Sequence, residues 1–173
     1  MGSSEGPHKV FTQVNEFLSD MGKPPMFDIK LVGLTKEMQT YENLFTVKPQ
    51  ATIHEVVHTD LIIIPAIKGD FRESVEMNQE FVPWIAKNYK RGAEVASLCL
   101  GAFLLASTGL LKGKKCSTHW VAANEFKKMY PDVNLVAEID GLIGARARKE
   151  GHVRPRPDDD AAHEHEREQR RLP

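Results

Sequence analysis

The chain is short of cysteine, of long apolar runs and, over most of its length, of arginine. Only two of its 173 residues are cysteine, Cys99 and Cys116. Two thiols do not build a disulfide framework, so a reducing, cytoplasmic setting is the expectation. No apolar run approaches the ~18 residues of a membrane span. The opening Met1-Gly2-Ser3-Ser4-Glu5 has no basic stretch followed by an apolar one, so no secretory signal is read there. Gly-x-Gly-x-x-Gly and the P-loop pattern are both absent, and no cofactor is expected. Bases number 23 and acids 24, a balance that argues against direct nucleic-acid binding. No segment repeats.

What is present is a single globular domain's worth of apolar sequence, 41% hydrophobic and 27% charged. The composition shifts near residue 144. Before it, arginine occurs only at Arg72 and Arg91; from 144 to 173 there are seven arginines, seven acids and no aromatic residue. Such a stretch buries too little apolar surface to offset its ordering entropy. The reading is therefore a domain over 1–143 and a polar tail over 144–173, disordered or a solvated helix over 158–172.

Residues 6–143 alternate between helical and extended patterns. Val10, Phe11, Val14, Phe17 and Leu18 fall at helical spacing, ended by Gly22 and Pro24-Pro25. Strands are predicted over 28–34, 44–47, 60–65, 93–98, 114–118 and 133–139. The run Leu61-Ile62-Ile63-Ile64 marks a strand covered on both faces, as in parallel sheets. Helices are predicted over 72–90, with a break at Pro83, over 101–108 and over 120–129. Strands alternating with helices define a doubly wound α/β sandwich with a mostly parallel sheet.

The chemistry-bearing segment is Ser97-Leu98-Cys99-Leu100-Gly101, between an apolar strand and an apolar helix. A small residue two before the thiol and glycine two after it fit a nucleophile elbow, where bulk would clash with sheet and helix. A thiol there sits near a helix N-terminus, whose N–H groups favour thiolate and could hold an oxyanion. The alternative is a buried cysteine acting as a small hydrophobe. Further on, Thr118-His119-Trp120 follows a short strand. His119 could stand beside Cys99 as base or orienting group; alternatively it begins the next helix while Trp120 fills core.

The stretch 96–120, with Cys99, Gly101, Gly109-Leu110-Leu111, Gly113 and Thr118-His119-Trp120, resembles the ThiJ/PfpI superfamily, which is class I glutamine amidotransferase-like. Its nearest look is to the branch forming the N-terminal domain of AraC-type transcriptional regulators. Gly6-Pro7 with Val10-Phe11, the 60–65 strand and Tyr130-Pro131 match that branch too. The resemblance implies a flavodoxin-like, often dimeric sandwich with a reactive cysteine. It puts Cys99 at the nucleophile position and His119 at the family's histidine. The Leu100 backbone N–H becomes an oxyanion donor, and Leu100 and Gly101 border the ligand or oxyanion pocket. Three departures from the family pattern stand out. The family's first strand has no counterpart ahead of Gly6-Pro7. The position of an acidic residue near the cysteine is Ser3. The polar tail stands where a last, apolar helix belongs, and no helix-turn-helix follows.

Three functions are open from these residues. The first is a ligand-sensing regulatory domain without its DNA-binding part, binding an unknown small molecule and pairing as a homodimer. The second is a cysteine-dependent hydratase, glyoxalase-like enzyme or peptidase using Cys99. The third is a redox or electrophile sensor at Cys99. Two other groups are weaker. His152, His163 and His165 lie among tail acids, and His54 and His58 are four apart on a predicted short helix. Both are read as solvated, and no metal site is expected.

Overall fold

The computed structural model describes residues 2–40, 44–136 and 144–147. The tail from 148 onward, with His152, His163 and His165, lies outside the described residues, as do 137–139 of the strand expected over 133–139.

The first helix, α1, runs Gly2–Asp20 and takes in the helical spacing predicted from Val10 to Leu18. Pro7 sits in its second turn, where it removes one backbone bond. Gly22, at φ 70°, closes it. The Lys23 amide donates to the Leu18 carbonyl at 2.8 Å and the Gly22 amide to that of Ser19 at 2.9 Å, which satisfies the last carbonyls. The chain then doubles back along the helix. Asn15 holds it there, its Oδ1 accepting from the Met26 and Phe27 amides and its Nδ2 donating to the Phe27 carbonyl. Phe11 meets Phe27 edge to face at 4.9 Å.

Strand β1, Val32–Gly33, is shorter than the predicted 28–34 and pairs in parallel with β4, Ala51–Thr52. Between them, β2 (Met38–Thr40) and β3 (Phe45–Val47) form an antiparallel ladder. The predicted helix carrying His54 and His58 is not formed; the residues after β4 make a turn and then irregular chain.

The central strands are β5, Leu61–Ile64, and β6, Glu94–Leu98, paired in parallel from Leu61↔Glu94 to Ile64↔Ser97. Ile62 and Ile64 are buried, while Leu61 and Ile63 point the other way and are less covered. On the far edge of β6 lies β9, Gly144–Ala147, antiparallel to it. The sheet thus takes in the first four residues beyond the composition change. Next to β9 stands β7, Lys115–Cys116, which pairs in parallel with β8, Asn134–Leu135. Three parallel pairs, two of them joined through helices, make this the α/β arrangement the alternating pattern predicts.

The helix expected over 72–90 is two helices, α2 (Phe71–Met77) and α3 (Phe81–Lys90). The break falls before Pro83, which sits in the first turn of α3, where a missing N–H costs no helical bond. Asp70 caps α2, its carboxylate accepting from the Arg72 and Glu73 amides. Helix α4, Ala102–Ser107, lies on β5 and β6, and α2 and α3 pack against it. Every residue of α4 from Ala102 to Ala106 is buried. Phe103 is the hub of the core: it stacks on Phe71 at 4.5 Å and meets Phe126 of α5 (Ala123–Met129) edge-on at 5.0 Å.

Candidate functional site

The register that pairs Ile64 with Ser97 brings the end of β5 alongside the strand-to-helix turn at Cys99. Leu98 is extended, at φ −107° and ψ 128°. Cys99 then takes φ 52°, and among the described residues it is the only non-glycine with a positive φ. A short 3-10 turn over Cys99–Gly101 leads into α4. A cysteine in the left-handed region carries a backbone cost that the surrounding contacts must hold.

Gly101 shows what holds it. A Cβ at this position would lie 2.5 Å from the Pro65 carbonyl oxygen and 2.7 Å from that of Ile64. The turn presses onto the end of β5 at a distance only glycine permits. Ser97, two before the thiol, is also buried, as the small-residue spacing predicts. Leu100 is half-buried and packs against the core.

The segment with His119 reaches the same turn. The Thr118 hydroxyl donates to the Cys99 carbonyl oxygen at 3.2 Å. His119 itself faces its own chain: its Nδ1 accepts from the Val121 amide at 3.4 Å and caps the 3-10 turn Trp120–Ala122. Among the described residues no hydrogen bond joins the Cys99 thiol to His119. Its ring stacks on that of Trp120, with centroids 5.6 Å apart. Trp120 does not fill core; it is 80% exposed, and Val121 beside it is exposed too. Thr118 therefore ties the segment carrying His119 to the Cys99 turn, while the imidazole bonds to its own backbone.

Two further contacts were not legible beforehand. Ser3 Oγ, near the start of α1, accepts from the Ala66 amide at 3.2 Å. This draws the start of α1 to the chain leaving β5, close to the Cys99 turn. Thr118 was visible as part of a motif, but its hold on the Cys99 carbonyl was not.

The second thiol is of a different kind. Cys116, in β7, is fully buried, and burial raises its pKa to about 11. Among the described residues no group of three or more His, Cys, Asp or Glu side chains could hold a metal. An open groove of about 500 Å³, lined by Arg72, Val75, Val82 and Met129 among others, has no lining residue from the Cys99 turn. No helix among the described residues is long and apolar enough to cross a membrane.

An α/β sandwich with a thiol on a left-handed strand-to-helix turn defines a recognisable class of protein. The match to the DJ-1/PfpI family model over residues 16–149 places this chain in that family. Among its relatives is the HTH-type transcriptional regulator CdhR of Pseudomonas aeruginosa, 28% identical over 102 residues, covering 55% of this chain and 30% of the regulator. The deglycase PfpI of Pyrococcus furiosus is 29% identical over 94 residues, covering 53% of this chain and 55% of the enzyme. The chain thus spans about a third of the regulator and about half of the enzyme. Among solved structures, a candidate transcriptional regulator of Vibrio parahaemolyticus superposes with a TM-score of 0.69 at 24% identity, covering 82% of this chain and 72% of that one. A ThiJ/PfpI family protein from Pseudomonas syringae gives 0.54 at 18% identity, covering 80% and 57%. These likenesses show the flavodoxin-like fold that the sequence resemblance implied.

Proposed function

We propose that this chain is a ligand-sensing domain of a transcriptional regulator, with the Cys99 turn at its small-molecule site. The observation that carries the reading is the state of His119. Its Nδ1 accepts from the Val121 amide, and among the described residues no base is hydrogen-bonded to the thiol. Ser3, where the family pattern has an acid, is likewise engaged with the Ala66 amide. The sequence likeness to CdhR supports the regulator part of the reading. Trp120, exposed and stacked on His119, offers a ligand an aromatic face beside the turn.

A cysteine-dependent enzyme is the second reading. The positive φ of Cys99 favours it, because a nucleophile elbow needs that strained turn. So does the likeness to the deglycase PfpI and to the isonitrile hydratase of Pseudomonas putida, the latter 26% identical over 98 residues.

A thermal-shift screen of small metabolites, run beside turnover assays with an isonitrile and a 2-oxoaldehyde, separates the two. A sensing domain gives a compound that is bound and not consumed. At a hundredfold excess over Kd it stabilises by about 2.7 kcal/mol, a rise of roughly 5–10 °C at this chain length. Steady turnover of either reagent, lost in Cys99→Ala, overturns the sensing reading and establishes the enzyme.

A further inference from the structure

The near-even balance of charge over the whole chain does not hold locally. Between residues 87 and 135 eight lysines and arginines stand against three acids. The fold gathers these bases at one end. Lys87 and Lys90 lie in the last turn of α3, with Arg91 as its C-cap. Lys127 and Lys128 lie in the last turn of α5. Lys112, Lys114 and Lys115 occupy the loop into β7 and its first residue. The contacts stitch the three groups together. Lys114 Nζ donates to Tyr89 Oη at 3.3 Å and stands 5.6 Å from the centre of its ring. The Gly113 amide donates to the Asp132 carbonyl at 2.9 Å, and the Asn134 amide to that of Lys114 at 3.0 Å. The Cys99 turn is at the opposite end, after the last residue of β6, where Thr118 reaches it from beyond β7.

Helix dipoles account for part of this surface, because cations are favoured at helix C-termini. That pull is confined to the last turn, and α4 ends at Ser107, so the lysines of the 112–115 loop have no helix end to serve. Nor do acids neutralise the surface. Asp132 holds Lys112 at 3.1 Å, and Glu125 holds Lys128 at 3.4 Å while shared with Arg72. Lys87, Lys115 and Lys127 are exposed and make no ion pair among the described residues. Along residues 87–91, 112–115 and 127–132 no large apolar side chain is exposed. Protein partners are held by apolar and aromatic anchors, and their interfaces are poor in lysine. A nucleic-acid backbone is held by lysine and arginine without such anchors.

We propose that this end of the domain binds the phosphate backbone of double-stranded DNA without reading its sequence. The local excess of five positive charges sets the scale. About five neutralised phosphates give a slope of log K against log salt of about −4.5, a loss of about 500-fold between about 50 and about 200 mM salt. Binding here does not depend on what the Cys99 thiol does.

Fluorescence anisotropy of a labelled duplex of about 20 base pairs, titrated with the full chain at several salt concentrations, tests it. The wild type should bind at low salt with that slope, and equally to a second duplex of unrelated sequence. Lys87→Gln, Lys115→Gln and Lys127→Gln together should remove about three contacts, weaken binding more than about tenfold at about 50 mM salt and cut the slope to about −2. Lys9→Gln, on α1, should leave the slope unchanged. All four positions are exposed, so the melting temperatures of the variants should match the wild type. A wild type that does not bind the duplex at about 50 mM salt overturns the proposal. So does a triple variant that keeps the wild-type slope, which would assign the binding to other bases. A polyglutamate of matched charge that binds as tightly as the duplex also overturns it, and gives the surface to an acidic protein.

Discussion

The Thr118 hydroxyl donates to the Cys99 carbonyl oxygen at 3.2 Å, tying the segment that carries His119 to the turn that carries the thiol. Thr118→Val keeps the shape and removes the donor. It is expected to lower stability by about 1 kcal/mol, the usual net worth of such a bond, while Thr118→Ser keeps most of it. Chemical denaturation reads the stability. The alkylation rate of Cys99 reads whether the turn has loosened, and an unchanged rate in Thr118→Val would mean the bond does not position the thiol.

The two thiols should be chemically distinct. Cys116 is fully buried with a pKa raised to about 11, so at pH 8 only about one part in a thousand is thiolate. Cys99 is part-exposed on its turn. Iodoacetamide at pH 8, followed by peptide mass spectrometry, should label Cys99 in the native chain and reach Cys116 only after denaturation. Equal labelling of both would mean that β7 and the Cys99 turn are not packed as described.

Gly101 faces backbone, not a yielding side chain. A methyl there must displace the Ile64 and Pro65 carbonyls, which it would approach to 2.7 and 2.5 Å. Gly101→Ala should cost about 2–3 kcal/mol, the range for overpacking a close contact. Gly113→Ala is the comparison: its φ of 71° strains alanine, but nothing crowds it, so a smaller loss of about 1 kcal/mol is expected. Equal losses in urea melts would show that space at Gly101 is not what selects glycine.

Much of this framework was legible because its signals are local. The run Leu61-Ile62-Ile63-Ile64, bounded by Asp60 and Pro65, could only be a short buried strand, and it is β5. Ser97 and Gly101 flank Cys99 at the spacing of a tight turn, and the positive φ lies between them. The misses come from tertiary context. Pro83 was read as the helix breaker, yet proline is tolerated in a first turn, and the chain breaks over 78–80 instead. Of the two readings of the His119 segment, the one that puts Trp120 in the core does not hold: Trp120 is exposed, on a loop tied to the Cys99 turn by Thr118. The strand predicted over 44–47 is β3, but its partner β2 has little apolar alternation to announce it. The bond from the Ala66 amide to Ser3 spans 63 residues, a range at which one sequence carries no pairing signal.

Cys116 also sets a pH dependence. Its thiol has a higher pKa folded, about 11, than the ordinary value of 9.0, because burial disfavours the thiolate. Between those values the unfolded chain binds fewer protons than the folded one, so stability falls as pH rises from about 9 to 11. Below pH 9 the group contributes no slope. Its full effect is about 3 kcal/mol. Tyr130 is raised by burial as well and adds loss of the same sign. Cys116→Ala removes the first contribution and leaves the second. Urea melts from pH 8 to 11, compared between wild type and variant, should therefore show the shallower decline in Cys116→Ala. Parallel declines would mean the thiol is not desolvated as its burial implies.

The strain at Cys99 can be weighed apart from any chemistry the thiol performs. Its φ of 52° is open to glycine without penalty and costs other residues about 1–2 kcal/mol. Replacing it with alanine keeps that cost and removes the thiol; replacing it with glycine removes both. Glycine also adds unfolded-chain entropy, which offsets roughly 0.5–1 kcal/mol of the gain. Cys99→Gly should then equal or exceed Cys99→Ala in stability, by up to about 1 kcal/mol. At an ordinary helix or strand position the order is reversed, with alanine ahead. Paired denaturant melts read the sign directly. Alanine ahead by about 1 kcal/mol, the ordinary order, would show that the backbone at residue 99 is relaxed in solution, and the structural argument for an elbow at this thiol would fall with it.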